Sequence, residues 1–242
     1  PQIMPQWFLK MKPLAKPAIS AVEKGKIAFV PPRFKKTYLH WLKNIRDWNL
    51  SQQITWGIRI PAWFRNGAVF VNTTPPAGEG WIQDPDVFTT WFSSGQWPFL
   101  ALGYPDAKDY KTFYPTDVME TGWDILFFWV CRMVMLGLAR TGKIPFKTVY
   151  LHGLVRDKDR QKMSKSRGNV IDPLGVAAEY GTDAVRLALT IGNLPGNDII
   201  ISEEKIRGYR NFANKIWNAT RFLLMHVPET PSAKKIRYGK GE

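Results

Sequence analysis

A short cationic segment, RQKMSKSRGN at residues 160–169, carries the side chains best suited to chemistry in this sequence. Lys162 and Lys165 lie three residues apart, and Ser164 and Ser166 alternate with them. An ammonium group is a compact point charge that can follow phosphate oxygens as their charge shifts, and serine hydroxyls can add hydrogen bonds. The segment could therefore hold a triphosphate and stabilise a departing pyrophosphate. On residue type alone, a solvated basic turn is the alternative.

The sequence around this segment predicts the elements that must position it. TVYLHGLV, at residues 148–155, is a short apolar run with β-branched residues, which predicts a central strand. Residues 156–171 follow as a loop, and Asp172 and Pro173 then open a helix whose apolar spacing continues to Ile191. This order is typical of a doubly wound α/β sheet, whose ligands bind beyond the carboxyl ends of the strands. We therefore expect the loop at a ligand-binding end.

The remaining elements are predicted from apolar spacing and from glycine and proline positions. The strongest helix prediction covers residues 117–140, with Thr121 as its cap and Gly142 as its end. A buried strand is predicted at residues 53–64, closed by Pro61. Further predictions are a short helix from about residue 18 to 25, a strand at 27–32, a helix at 34–48, a loop or small insertion at 65–85, and a basic amphipathic helix at 202–226.

Composition predicts a globular protein with an anionic partner. The chain has 242 residues, 45% of them hydrophobic, and a formal net charge of +14. Two basic ends and one basic loop flank a near-neutral, tryptophan-rich middle, which suits a long polyanion touching several places. The longest apolar run, at residues 125–139, is interrupted by Arg132 and is too short for a bilayer, so no membrane partner is expected. The single cysteine, Cys131, allows no internal disulfide, which favours a cytoplasmic setting.

KMSKS is the signature loop of the class I aminoacyl-tRNA synthetases, and here His152-Gly153 precedes it and GNVIDP follows it. Several further blocks resemble the same family, and TGWDILFFW is more similar to the valyl version of its block than to the isoleucyl or leucyl version. An isoleucyl- or leucyl-type chain is the alternative within the family. The other similar blocks are NLSQQITWGIRIPAWF, DVFTTWFSSGQWPF, PFKTVYLHGLVRD, GTDAVRLAL and RNFANKIWNATRF.

The resemblance implies a fold, a reaction and a set of site residues. It implies the second half of a Rossmann-type doubly wound parallel sheet, followed by the start of an α-helical tRNA-binding domain. The reaction implied is ligation of valine to tRNA(Val) through a valyl adenylate, with ATP and Mg²⁺. Matching positions give Lys162 and Lys165 as the catalytic phosphate-holding residues; His152, Gly153, Met163, Ser164, Lys165 and Ser166 as ATP-binding; Trp91, Asp124, Ile125 and Trp129 as the amino-acid pocket; and Arg207, Arg210, Lys215 and Arg221 as tRNA-binding. Plain core packing is the alternative for Ile125 and Trp129, and a solvated helix face is the alternative for the four cations.

Departures from the family pattern predict a partial enzyme. The His-Ile-Gly-His motif and the body of the editing domain are absent, so the expected partner is an amino-terminal half, and an inactive basic tRNA-binding fragment is the alternative. The domains expected are a return segment at 1–48, the second half of the catalytic domain at 49–195, and the start of a helical domain at 196–242. Residues 65–85 lack cysteine, so no zinc or other protein-bound metal is expected. Gln52 and Thr89 replace an arginine and an aspartate that the family usually has.

Overall fold

A computed structural model of the chain describes residues 3–227, and these residues form two compact units. The first unit runs up to Gly153 and includes Leu194–Asn197, and the second contains Leu154–Asn193 and the residues from Asp198 onward. The predicted division into 1–48, 49–195 and 196–242 concerns the origin of each part and stays a prediction.

The first unit contains ten strands and six α-helices among the described residues. A 3-10 turn at Trp123–Ile125 and a π-helical turn at Leu126–Val130 lead into its last helix. The strands are β1 (Phe8–Leu9), β2 (Ala28–Val30), β3 (Trp48–Asn49), β4 (Ser51–Gln52), β5 (Ala62–Arg65), β6 (Ala68–Val71), β7 (Ile82–Gln83), β8 (Val87–Phe88), β9 (Thr116–Gly122) and β10 (Phe146–His152). The helices are α1 (Met11–Glu23), α2 (Arg33–Lys43), α3 (Thr90–Ser94), α4 (Trp97–Leu100), α5 (Lys108–Phe113) and α6 (Cys131–Thr141).

A parallel sheet in the order β2-β10-β9 organises this unit. Strand β10 is the central one, as its apolar run predicts, and its Val149 and Leu151 are fully buried. Parallel neighbours require a crossover, which the turns after β9 and helix α6 provide. The core continues through Leu126 and Val130 to helices α1 and α2. The mixed α/β fold with a parallel sheet confirms the predicted fold class.

The helix predicted at residues 117–140 is wrong over its first quarter, residues 117–122. Residues Thr116–Gly122 form strand β9, which pairs with β10 along its whole length, so Thr121 is a strand residue and not a helix cap. The local spacing of apolar residues does not reveal this pairing, because the partner strand lies 30 residues further along the chain. The helical run begins at Trp123, and Gly142 ends it in the left-handed conformation with φ +70°, as predicted.

Residues 53–85 also differ from the prediction. Most of the predicted strand at 53–64 is irregular, and β5 begins after Pro61 and not before it. The predicted loop at 65–85 contains strands β6 and β7, which flank β5 in an antiparallel sheet. Asn66 and Gly67 connect β5 to β6 with positive φ at both residues, which is the tight hairpin turn that an Asn-Gly pair favours.

As far as residue 227, the second unit contains two short strands and three α-helices. Strands β11 (Val155–Arg156) and β12 (Ile199–Ile200) are parallel, and the helices are α7 (Pro173–Tyr180), α8 (Thr182–Thr190) and α9 (Glu203–His226). The Asp172 side chain accepts hydrogen bonds from the backbone N–H of Leu174 and Gly175, which confirms it as the cap of α7. Gly181, with φ +91°, divides the single helix that was predicted here.

Helix α9 confirms the predicted amphipathic helix at 202–226, and Ser202 caps it by accepting from the backbone N–H of Lys205. Its Ile206 is buried with Ala184, Ala188 and Ile201 in the core of the second unit. Within residues 3–227, no helix combines the length and the apolar character that crossing a membrane requires.

Candidate functional site

The cationic loop lies wholly in the second unit, between β11 and α7. An antiparallel bridge between Arg156 and Lys162 closes its first part, and Lys165–Arg167 form a 3-10 turn. Lys162, Lys165 and Ser166 are exposed, whereas the Met163 side chain packs against the core of the unit. The loop is thus anchored by its methionine while the side chains that could meet phosphates face outward.

Two side chains at the ends of the loop form a frame for its backbone. One carboxylate oxygen of Asp157 accepts hydrogen bonds from the backbone N–H groups of Asp159, at 3.0 Å, and Gln161, at 2.7 Å. Its other oxygen accepts from the side-chain amide of Asn169 at 2.7 Å. The Asn169 amide oxygen accepts from the backbone N–H of Ser164 at 2.9 Å, and its nitrogen donates to the carbonyl of Lys162 at 3.3 Å. The two residues therefore bind loop backbone on both sides of Lys162.

Charge and hydrogen bonding alter the acidity of this frame. The hydrogen bond from Asn169, then those from the loop backbone, and last the nearby positive charge of Arg167 lower the pKa of Asp157 below its ordinary value of 3.8. An ion pair of Arg156 with Asp198 holds the start of the loop, and the same aspartate accepts the backbone N–H of Leu154 at 2.8 Å. The Asp157 carboxylate is consequently ionised at neutral pH.

His152 and Gly153 end strand β10 in the first unit. The His152 ring lies 3.2 Å from the Glu120 carboxylate through Nε2 and 2.6 Å from the Gly153 carbonyl oxygen through Nδ1. His152 is exposed, Gly153 is buried, and His152 pairs in register with Gly122 at the carboxyl end of β9. A polar ring at the carboxyl end of a central parallel strand occupies the usual ligand-binding edge of such sheets.

The predicted amino-acid pocket residues fall on two neighbouring elements of the first unit. The Trp91 ring, on α3, stacks on Phe128 with centroids 5.8 Å apart, and Trp129 donates its indole N–H to the Ser94 carbonyl at 3.0 Å. Phe128 and Trp129 belong to the π-helical turn at Leu126–Val130, a local distortion that is frequent at functional sites. Asp124 and Ile125 are half-buried in the 3-10 turn immediately before it. The structure therefore brings Trp91 and Trp129 together through Phe128 and Ser94.

Arg132 packs against the aromatic side chains near this predicted pocket. Only 7% of its surface is exposed, and its guanidinium carbon lies 3.7 Å from the Trp48 ring centroid and 5.5 Å from that of Phe128. Within the described part of the chain, its buried Nη1 has no hydrogen-bond acceptor. Burial lowers the Arg132 pKa to about 10. The charge is stabilised by aromatic faces, which ties α6 to β3.

The four cations predicted to contact tRNA lie along α9. At about 100° per residue, Arg207, Arg210 and Arg221 fall within a sector of about 60° on this helix, and Lys215 lies about 80° from the nearest of them, Arg207. The Arg210 guanidinium lies 5.8 Å from the Tyr180 ring centroid, whereas Arg207, Lys215 and Arg221 are exposed. The helix therefore presents a basic stripe of about four turns in length.

Sequence reasoning missed five residues of these clusters: Asp157, Asn169, Ser94, Phe128 and Arg132. The pattern Asp-x-Asp-x-Gln at 157–161 is a usable signal, because an aspartate that precedes a turn often accepts backbone N–H groups two to four residues on. Arg132 interrupts an otherwise apolar run, which predicts a buried charge with a special partner. Nothing in the local sequence indicates the Ser94 carbonyl as the acceptor for Trp129.

Among residues 3–227, no group of three or more His, Cys, Asp or Glu side chains is arranged to hold a metal ion. The motif side chains of the cationic loop that could meet a charged ligand are the ammonium groups of Lys162 and Lys165 and the hydroxyls of Ser164 and Ser166. Such donors suit phosphate oxygens.

Comparison with known proteins gives one family and close relatives. A family model described as tRNA synthetases class I (I, L, M and V) matches residues 1–75 and 75–202. The valine–tRNA ligase of Geobacillus kaustophilus (strain HTA426) is 56% identical over 233 residues, covering 94% of this chain and 26% of that protein. The valine–tRNA ligase of Solibacter usitatus (strain Ellin6076) is 55% identical over 242 residues, covering 96% and 28%. The chain spans about a quarter of the length of these relatives.

Solved structures share the fold at lower identity. Mycobacterium tuberculosis methionyl-tRNA synthetase in complex with methionyl-adenylate has a TM-score of 0.73 and 21% identity, covering 95% of this chain and 44% of that one. A ternary complex of Agrobacterium radiobacter K84 LeuRS with tRNA and LeuAMS has a TM-score of 0.63 and 21% identity, covering 75% and 29%. At these identities the likeness concerns the fold.

Proposed function

The chain belongs to the class I tRNA synthetases of the I, L, M and V group, and from this premise we propose that it is part of an enzyme that ligates valine to tRNA(Val) with ATP. The observation that carries the proposal is the 56% identity to a valine–tRNA ligase over 94% of the chain. Because the chain spans about a quarter of that relative, the activity is proposed for the larger enzyme and not for these residues alone.

In the proposed first step, the valine carboxylate attacks the α-phosphorus of ATP. The bond from that phosphorus to the bridging oxygen breaks, and pyrophosphate leaves with the electron pair of that bond. Lys162 and Lys165 would stabilise the negative charge that grows on the leaving group, and Ser164 and Ser166 would add hydroxyl donors. Mg²⁺ would arrive bound to the ATP phosphates, which is the common way in which proteins use this ion.

Adenosine and valine would be held by separate groups. His152, Gly153 and the backbone at Met163 are proposed for the adenosine, by resemblance to the family motifs. The packing of the Met163 side chain against the core of its own unit supports a backbone contact at this residue. Trp91, Ile125 and Trp129, with Asp124 beside them, are proposed to wall the valine pocket. The hydrogen bond from Trp129 to Ser94 supports this role, since it fixes the indole that would contact a small aliphatic side chain.

The tRNA would meet the basic stripe on α9, formed by Arg207, Arg210, Lys215 and Arg221. Exposed Lys and Arg side chains along one helix suit the evenly spaced phosphates of an RNA backbone. A neighbour with the same fold is described as a complex with tRNA, which supports a nucleic-acid role for this class of chain.

A hybrid enzyme tests the proposal. The matching segment of the Geobacillus kaustophilus ligase would be replaced by this chain, and ATP–pyrophosphate exchange would be measured with valine, isoleucine and leucine. We expect exchange with valine. Preference for isoleucine or leucine would support the other specificities of the family, and a folded hybrid that binds tRNA without exchange would support a binding fragment.

The phosphate-holding role is tested in the same hybrid. Lys165→Ala should lower exchange by at least about tenfold, because a preorganised cation at the leaving group is lost. Lys158→Ala is the matched control, since it removes an exposed lysine from the same loop but outside the motif. Equal activity of the two variants would remove Lys165 from the mechanism.

A further inference from the structure

We propose that Asp157 and Asn169 are positioning residues that hold the cationic loop in the conformation that presents Lys162 and Lys165. The purpose of that conformation rests on the proposed function, whereas the frame itself stands on the geometry of the second unit. Neither residue is assigned a role by the motif comparison, and neither has to touch a substrate.

The frame satisfies backbone groups that have no place in regular secondary structure. The N–H groups of Gln161 and Ser164 lie directly before Lys162 and Lys165, and each donates to a frame side chain. The Lys162 carbonyl accepts from Asn169. Fixing the backbone beside each lysine limits where its side chain can reach, and this ordering is needed because a loop otherwise samples many conformations.

The hydrogen bonds of the frame run in one direction, which makes a sharp test available. The Ser164 N–H donates to Asn169, and the Asn169 amide nitrogen donates to Asp157. In Asp157→Asn, the new amide N–H₂ group at position 157 faces the N–H₂ group of Asn169, and neither can accept. Rotating the Asn169 amide by 180° would avoid this, but its N–H₂ group would then face the N–H of Ser164, which is also a donor. Asn169→Asp instead sets two carboxylates against each other. Each single substitution therefore breaks the frame.

The reciprocal swap restores it. In Asp157→Asn combined with Asn169→Asp, the new amide at 157 donates to the new carboxylate at 169, which still accepts from Ser164. The amide oxygen at 157 still accepts from Asp159 and Gln161. The 3.3 Å bond to the Lys162 carbonyl is lost, and an oxygen of the new carboxylate then faces that carbonyl oxygen. A role that depends on the charge of Asp157 itself would not be rescued in this way.

The first measurement uses the 242-residue chain and needs no activity. Hydrogen exchange is followed at the amides of Gln161 and Ser164, and tryptic cleavage is followed by mass spectrometry after Lys162 and Lys165. Each single variant should be cleaved about tenfold faster than the parent, because cleavage tracks the open population of the loop. The swap should return within about threefold of the parent, since one weak bond remains missing. Asp159→Asn, an equal loss of charge in the same loop, should match the parent.

The second measurement uses the hybrid enzyme. Asp157→Asn should lower kcat for exchange by about tenfold with the KM for valine unchanged, and the swap should recover most of the loss. The proposal would be overturned if the single variants were cleaved at the parental rate. It would also be overturned if the double variant were cleaved as fast as the single variants. If Lys165→Ala keeps full exchange, the proposed function of the loop fails, while the cleavage results still decide on the frame.

Discussion

Asp157 combines a half-buried position with a lowered pKa, and this has a consequence for the pH dependence of the loop. Hydrogen bonds from Asn169 and from loop amides lower its pKa below 3.8 in the folded state. A carboxylate whose pKa is lower in the folded state stabilises that state fully when the pH is above its ordinary pKa. This stabilisation is lost as the pH falls through the lowered pKa. Loop order should therefore be constant from neutral pH down to the ordinary value of 3.8, decline below it, and be lost as the pH falls through the lowered pKa of the folded state.

Amide exchange at Ser164, followed by NMR, measures this transition, with the amide of Ile206 in helix α9 as an internal reference for unfolding of the unit. Asp157→Asn should show fast exchange at Ser164 throughout the pH range. Asp159→Asn should keep the parental profile. A parental profile in Asp157→Asn would assign the pH dependence to another group.

Arg132 and Trp48 form a second residue-scale pair, in which a buried cation relies on an aromatic face. Trp48→Leu removes the nearest ring, 3.7 Å from the guanidinium, and leaves the charge with the more distant rings of Phe127 and Phe128. It should lower the free energy of unfolding by about 2 to 4 kcal/mol. Adding Arg132→Met should recover part of this loss, because the poorly compensated charge is then gone.

Urea unfolding followed by circular dichroism compares these variants. Trp97→Leu is the control. Because Trp97 is 63% exposed, its replacement should change the free energy of unfolding by less than about 0.5 kcal/mol. A double variant less stable than Trp48→Leu would show that Arg132 stabilises the fold through contacts other than the ring.

At the scale of elements, Gly95 sets how closely α3 approaches α6. A Cβ atom at Gly95 would lie 2.8 Å from the Leu136 side chain and 3.0 Å from the Trp91 carbonyl, so the Leu136 side chain and the end of α3 would have to shift. Because α3 carries Trp91, Gly95→Ala should destabilise the unit by about 1 to 3 kcal/mol and raise the KM for valine in the hybrid.

Gly208→Ala is the matched control, since a Cβ there meets nothing within 4 Å and the helix should gain up to about 1 kcal/mol. Unfolding of the chain and exchange kinetics of the hybrid measure both effects. An unchanged KM in Gly95→Ala would place the valine pocket away from α3.

The elements that could be predicted are those whose signals are local. Asp172 with Pro173, Gly142, and the apolar run of β10 each specify a cap, an end or a buried strand within a few residues. Strand β9 could not be predicted, because its extended form depends on pairing with β10, 30 residues away. The β5-β6 hairpin could have been predicted, because Asn66-Gly67 is a strong hairpin signal. The loop-like composition of the surrounding residues concealed it.

The candidate site divides in the same way. The motif identifies Lys162 and Lys165, and the structure places both on the outer face of a loop. The frame of Asp157 and Asn169 spans 12 residues and depends on side-chain directions that spacing does not encode. The π-helical turn that contains Trp129 is likewise not specified by any periodicity in the sequence.

For the molecule as a whole, the distribution of charge allows two modes of the proposed tRNA binding. The net charge of +14 could attract RNA diffusely, or the basic stripe on α9 could bind phosphates at defined positions. Both predict weaker binding at higher salt, so the dependence on salt alone does not separate them. The two modes are separated by removing three positive charges from α9 in one variant and three from the first unit in another.

Replacing Arg207, Lys215 and Arg221 by alanine should reduce the salt dependence of binding to a tRNA(Val) transcript, because each phosphate contact contributes a log–log slope of about 0.9 or less. We expect the slope to fall by about two to three between about 50 and 200 mM salt, measured by fluorescence anisotropy. The control replaces three exposed lysines of the first unit, Lys108, Lys111 and Lys143, and should leave the slope nearly unchanged. Equal effects of the two triple variants would mean that net charge, and not the helix, attracts the RNA.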